Sequence, residues 1–330
     1  MTARFVVTDH AFGGTSYEQA AADAAGVELS VHQVSDPADT TEVVRDADVV
    51  FVNFAPIGKD QLAAMAPGAT VIRYGVGYNN VDCESATALG ITVVNVPDYG
   101  VDTVADHACA MLLSLLRRLP VYTQRIREEG WVTPPEAGVI PSLRDTTVGL
   151  LGAGRIAQQV AHRLQAFGIT TIAFDPYADA AALEEQGIRL TGLDEVLRAS
   201  HAISLHLPST DETRGLIDDD TLNLLPEGAV LVNTSRGDIV DEAALMRALD
   251  SGHLAGAGLD VFQHEPLPGD SGLRDHPCVL LSPHAAFYSA ASLDALQRLA
   301  ADEAKRHIAG EPPRSPVNES PRTEPAGAAK

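Results

Sequence analysis

Short runs of β-branched and aliphatic residues recur along the chain, each followed by an alanine-rich or polar stretch. In the first hundred residues these runs are RFVVTD, VELSVHQ, VVFVNF, ATVIRYG and ITVVNV. Short apolar runs alternating with helix-length segments predict βαβ units on a parallel sheet. A long helix is predicted from about Thr103 to Leu119, followed by an irregular passage, EEGWVTPPEAGVIPS. A second series begins at TVGLLG and continues through ITTIAFD, AISLHL, AVLVNTS, LAGAGLDVF and CVLLSPH. Two doubly wound α/β units with parallel sheets are the economical reading. One more helix is predicted from Ala290 to Ala309, stopped by Gly310 with Pro312 and Pro313 beyond it. The polar tail is expected to be disordered beyond Asn318.

The chain's 330 residues exceed the size at which one core usually stops growing, which agrees with two domains. The most apolar stretch, Val104 to Leu116, is interrupted by Asp106 and His107, and the N-terminus lacks an apolar run ahead of a cleavage site. Neither a membrane span nor export is therefore expected. Cys83, Cys109 and Cys278 are odd in number and far apart, which fits neither a disulfide framework nor a zinc site. A cytoplasmic protein without a metal is the expectation. A formal net charge of −22, with no Lys/Arg cluster to interrupt it, disfavours nucleic acid and anionic membranes as partners. An anionic substrate would have to be captured locally, by arginine and backbone N–H groups.

The strand TVGLLG runs into Gly152-Ala153-Gly154-Arg155-Ile156-Ala157 and then into the helical pattern QQVAHRLQAFG. In a strand–turn–helix of this kind Gly152 permits the tight turn, Gly154 lets the backbone approach a pyrophosphate, and Ala157 stands where helix meets strand. The helix N-terminus adds N–H groups and positive dipole for the phosphates. Asp175 closes the next strand, IAFDPY, where an acidic side chain accepts from ribose hydroxyls and repels the extra phosphate of NADP. The cofactor expected is NAD, preferred over NADP. FAD is the competing dinucleotide, but the motif lies mid-chain and no second flavin-type segment is visible.

Hydride transfer to a 2-oxo acid needs a cation for the carboxylate, a proton donor for the developing alkoxide and a partner that keeps the donor charged. Three strand ends offer such groups: Arg236 in NTSRG, Glu265 in DVFQHEP and His284 in SPHAA. Each alone has a dull reading, a salt bridge or a packed histidine. Their joint occurrence behind the glycine loop is what carries weight.

With these segments the chain resembles the D-isomer-specific 2-hydroxyacid dehydrogenase family from about Val49 to Asn318. The resemblance implies Arg236 as binder of the substrate, His284 as acid/base and Glu265 as its hydrogen-bonded partner. It implies cofactor contacts at Gly152, Gly154, Arg155, Ile156, Asp175, Leu207, Pro208, Thr213, Thr234, Asp260 and Val104, with Asp260 toward the nicotinamide amide. It makes Tyr74, Gly75, Val76 and Gly77 a substrate loop, and Phe287 a residue lining the pocket. It also implies a Rossmann NAD domain, residues 100–288, inserted in a flavodoxin-like substrate domain of 1–99 plus 289–330. A small 2-oxo/2-hydroxy acid is the substrate implied, and a homodimer the assembly, with His107 on the long helix that helps make its interface. Within the family NFAPI, RYGVGYNNVD, VPDYGVDTVADHA and HAAFYS liken the chain to the C-terminal-binding-protein-like branch. The polar tail after Asn318 reads against a feedback-controlled phosphoglycerate dehydrogenase. The rival class is an NAD-responsive scaffold or corepressor-like binding protein with little or no turnover.

Overall fold

The computed structural model describes residues 3–319, and the tail expected to be disordered lies almost wholly outside them. Two compact units emerge, one of residues 3–100 with 289–319, the other of 101–288.

The first unit holds five parallel strands, β1 (Arg4–Val7), β2 (Glu28–Val31), β3 (Val49–Val52), β4 (Thr70–Arg73) and β5 (Thr92–Val94), in the order β2-β1-β3-β4-β5. Side chains alternate across this sheet, as a period of two requires. Phe5, Val7, Phe51 and Ile72 pack on one face with the helices Ser16–Ala25 and Ala290–Ile308, while Val6, Val50, Val52 and Val71 fill the other. Gly310, at φ 67, follows the last helix where the sequence predicts its end. The residues after it return to the sheet, where Asn318 Oδ1 accepts from the Val93 N–H at 2.8 Å.

The second unit contains β6 (Thr147–Leu151), β7 (Thr170–Phe174), β8 (Ile188–Leu190), β9 (Ala202–Leu205), β10 (Ala229–Asn233), β11 (Leu254–Leu259) and β12 (Val279–Leu281). All pairings are parallel and the order is β12-β11-β10-β9-β6-β7-β8, so the winding reverses between β6 and β9. The chain is thus α/β with two doubly wound parallel sheets, and ligands of such sheets bind outside the carboxyl strand ends near the reversal.

The helix predicted to reach Leu119 spans Val101–Leu116. Arg118 takes φ 55 and its Nη1 donates to the Ala255 carbonyl at 2.6 Å, after which a second helix, Leu119–Glu129, begins with Pro120 in its first turn. Proline has no N–H to continue the first helix but is suited to start another. On the first helix His107, Met111 and Leu115 share one face at i, i+4, i+8 spacing. That face meets β11 at two glycines: a Cβ at Gly258 would lie 3.1 Å from Met111, and one at Gly256 3.0 Å from Leu115.

Candidate functional site

Gly152 follows β6 at φ 92, and a Cβ there would sit 2.6 Å from the carbonyl oxygen of His206, just past β9. Any larger residue would be both strained and blocked, so the glycine loop can cross the sheet reversal only as it stands. Leu207 closes the same contact with its side chain 8 % exposed. Asp175 ends β7, and its carboxylate accepts from the Ala153 and Tyr177 N–H groups, each at 2.9 Å. The acidic group expected at the ribose therefore also fastens the loop. Gly154 is exposed at the N-cap of the helix Arg155–Gln165, with no atom within 4 Å of where its Cβ would be.

Thr234 Oγ1 is buried and has no protein partner among the described residues. Beside a tight glycine turn, an open helix N-terminus and Asp175, this hydroxyl completes a donor and acceptor set that fits a dinucleotide. Thr213, expected at the adenosine half, braces its own loop by donating to the Pro208 carbonyl at 2.6 Å and accepting from the Thr210 N–H at 2.8 Å. Pro208 and Arg155 are exposed, while Val104 and Ile156 are half-buried. Burial pushes the His206 imidazole down to about 4, so it has no acid/base capacity near neutrality.

Arg236, Glu265 and His284 follow β10, β11 and β12, three adjacent strands aligned so that Asn233 pairs with Leu259 and Leu259 with Leu281. The turn bearing Arg236 is built by Asn233, which the sequence reading passed over. Its Oδ1 accepts from Ser235 N–H at 3.0 Å and its Nδ2 donates to the Arg236 carbonyl at 2.8 Å. An asparagine directly after a strand is the sequence signal for such a turn. Gly237 then lets this turn touch the next loop, since a Cβ would fall 2.0 Å from the Phe262 carbonyl carbon and oxygen.

His284 Nδ1 lies 2.7 Å from Glu265 Oε2, and Glu265 Oε1 accepts from the Phe262 N–H at 3.1 Å. A carboxylate only accepts, so Nδ1 carries the proton and Nε2 is the nitrogen available for chemistry. Burial pushes the Glu265 carboxyl up, but the hydrogen bond and charge of His284, the Phe262 N–H and the Arg236 guanidinium outweigh it and hold it below the ordinary value. The ring of Phe287 stands edge-on to His284, with centroids 6.5 Å apart.

His284 adopts φ 52, a conformation that costs a non-glycine residue on the order of 1 kcal/mol. Its N–H donates to the Asp260 carbonyl at 2.7 Å. The Asp260 side chain, 1 % exposed, accepts from Ser282 Oγ at 2.5 Å and from the Ala285 and Ala286 N–H groups at 2.8 and 2.9 Å. This carboxylate, which the resemblance places toward the nicotinamide amide, anchors the turn that presents His284.

The loop Tyr74 to Gly77 lies in the first unit. The side chain of Tyr74 is core: 2 % exposed, stacked on Phe51, its hydroxyl donating to Glu18 Oε1 at 2.8 Å. One residue past β4, it continues the register of Ile72, and its ring joins the same core. Gly75 takes φ 133, and Val76 is exposed. Among the described residues no cluster of His, Cys, Asp and Glu is suited to a metal ion, and no helix is long and apolar enough to cross a membrane.

Residues 109–286 match the family model "D-isomer specific 2-hydroxyacid dehydrogenase, NAD binding domain". A D-3-phosphoglycerate dehydrogenase of Mycobacterium bovis is 40% identical over 269 residues, covering 81% of this chain and 50% of the relative. A glyoxylate reductase of Korarchaeum cryptofilum is 36% identical over 281 residues, 84% of this chain and 85% of that one. The structure of D-lactate dehydrogenase from Aquifex aeolicus, complexed with NAD and lactic acid, superposes with a TM-score of 0.84 at 28% identity, covering 93% and 96%. The chain spans about half the length of the phosphoglycerate dehydrogenases it matches. These relatives replace the likeness to the C-terminal-binding-protein-like branch, whose short strings weigh less than identity along 269 aligned residues. The chain belongs to the D-isomer-specific 2-hydroxyacid dehydrogenase family, and its second unit is the family's NAD-binding domain.

Proposed function

We propose that the chain is an NAD-dependent D-2-hydroxyacid dehydrogenase that interconverts a small 2-oxo acid and its 2-hydroxy acid. The observation that carries this reading is the convergence of Arg236, Glu265 and His284 at three adjacent strand ends, with His284 Nδ1 2.7 Å from Glu265. Arg236 binds the substrate carboxylate and carbonyl oxygen through its planar fork. Glu265 holds the imidazole by Nδ1, so that a proton on Nε2 passes to the oxygen of the carbonyl being reduced. In the oxidising direction the neutral Nε2 takes that proton back. The nicotinamide, when bound, supplies or accepts the hydride.

Asp175 supports NAD over NADP, because a carboxylate at the end of β7 opposes a ribose phosphate. The backbone of Gly75 to Gly77 is proposed, on family likeness alone, to offer N–H groups to a carboxylate. Phe287, edge-on to His284, is proposed to face the substrate side chain.

The test is NADH oxidation by the purified protein with glyoxylate, hydroxypyruvate, pyruvate and longer 2-oxo acids, beside an Arg236→Ala control. Turnover of one or more, abolished in the control, supports the reading. Binding of NADH with no turnover of any 2-oxo acid would make the chain a binding protein instead.

A further inference from the structure

The helix Val101–Leu116 places His107 Nε2 2.9 Å from Ser282 Oγ, and Ser282 Oγ lies 2.5 Å from Asp260 Oδ1. A serine hydroxyl has one proton. The carboxylate can only accept, so that proton goes to Asp260, and Ser282 can meet His107 only as an acceptor. His107 must therefore present an Nε2–H. The direction of the chain is fixed by this count: His107 donates to Ser282, Ser282 donates to Asp260, and Asp260 receives the N–H groups of Ala285 and Ala286. The last two directly follow His284, whose positive φ has to be held from outside.

We propose that His107 is a positioning residue for His284, acting through Ser282 and the Asp260 carboxylate that holds the turn on which His284 stands. The packing explains why a helix residue can do this. His107 lies on the stripe continued by Met111 and Leu115, and that stripe approaches β11 closely because Gly256 and Gly258 leave no side chain between them. The side chain of His107 is 29% exposed while Asp260 is 1% exposed, so the chain of hydrogen bonds leads from the surface to a buried anchor. Its effect on turnover rests on the function proposed above; its effect on the turn does not.

The experiment compares wild type with His107→Phe, which keeps a flat ring without a donor, His107→Gln, which restores an N–H near the same place, and Ser282→Ala. Steady-state kinetics should show kcat lowered about ten-fold in His107→Phe, largely recovered in His107→Gln, with NADH affinity unchanged. His107→Phe added to Ser282→Ala should cost little more than Ser282→Ala alone, because both break one chain. The imidazole resonance of His284, assigned with His284→Asn, should shift in His107→Phe and return in His107→Gln at constant pH. Multiplying losses in the double variant, or a His284 resonance that His107→Phe leaves in place, overturns the proposal. Wild type lacking turnover would defeat the functional reading instead, and the resonance would still decide the role of His107.

Discussion

Gly237 and Phe262 touch backbone to backbone: the position a Cβ would take at 237 is 2.0 Å from the carbonyl oxygen of 262. This contact fixes the spacing between the turn that carries Arg236 and the loop that carries Glu265. Gly237→Ala must push the two apart, and overpacking of this kind costs roughly 1–3 kcal/mol. A lower melting temperature is expected, together with a fall in kcat/KM larger than the stability loss explains at assay temperature. Thermal melts beside steady-state rates check this, and an alanine variant with wild-type values in both would show that the loops do not need the contact.

Burial raises the Glu265 carboxyl, but the hydrogen bond and charge of His284, together with the Phe262 N–H and the Arg236 guanidinium, hold it below its ordinary pKa. A depressed carboxyl contributes stability above its unfolded pKa and loses it as pH falls through the folded one. The melting-temperature difference between wild type and Glu265→Gln should therefore be present at neutral pH and shrink in acid. A melting-temperature difference that persists unchanged into acid would sever the pair.

Asp175 accepts the Ala153 N–H at 2.9 Å, and in the function proposed above its charge also opposes a ribose phosphate. Asparagine keeps an acceptor and drops the charge, whereas alanine drops both. Asp175→Asn should narrow the preference for NADH over NADPH while largely retaining kcat with NADH, and Asp175→Ala should lose kcat with both. Wild type that uses NADPH as well as NADH would remove Asp175 as the selector.

Arg236 offers a planar fork that lysine cannot reproduce. Arg236→Lys should retain part of the activity, and Arg236→Ala should lose on the order of 3 kcal/mol of transition-state stabilisation or more. NADH affinity, followed by fluorescence titration, should change little in either. A large loss of cofactor binding with normal turnover at saturation would put the guanidinium on the cofactor.

The sheets were legible from local pattern, because a buried parallel strand must be a short apolar run and the helix between two such strands must show its own period. The glycine loop was legible for a related reason: Gly152 and Gly154 are required by backbone geometry within one turn. Arg236, Glu265 and His284 could be nominated because each follows an apolar strand, where such sheets expose their ligands' partners. What the tertiary structure alone decided is which groups meet. Tyr74 sits in a glycine-rich loop by sequence yet turns its ring into the core of its own sheet. Asp260 and Ser282 look like neighbours of functional residues, and only parallel registration of β11 with β12 makes them the support of the His284 turn. His107 is separated from Ser282 by 175 positions, and no local spacing could connect them. Hydrogen bonds across that separation depend on how closely a helix approaches a strand, and here the approach is set by the missing side chains of Gly256 and Gly258.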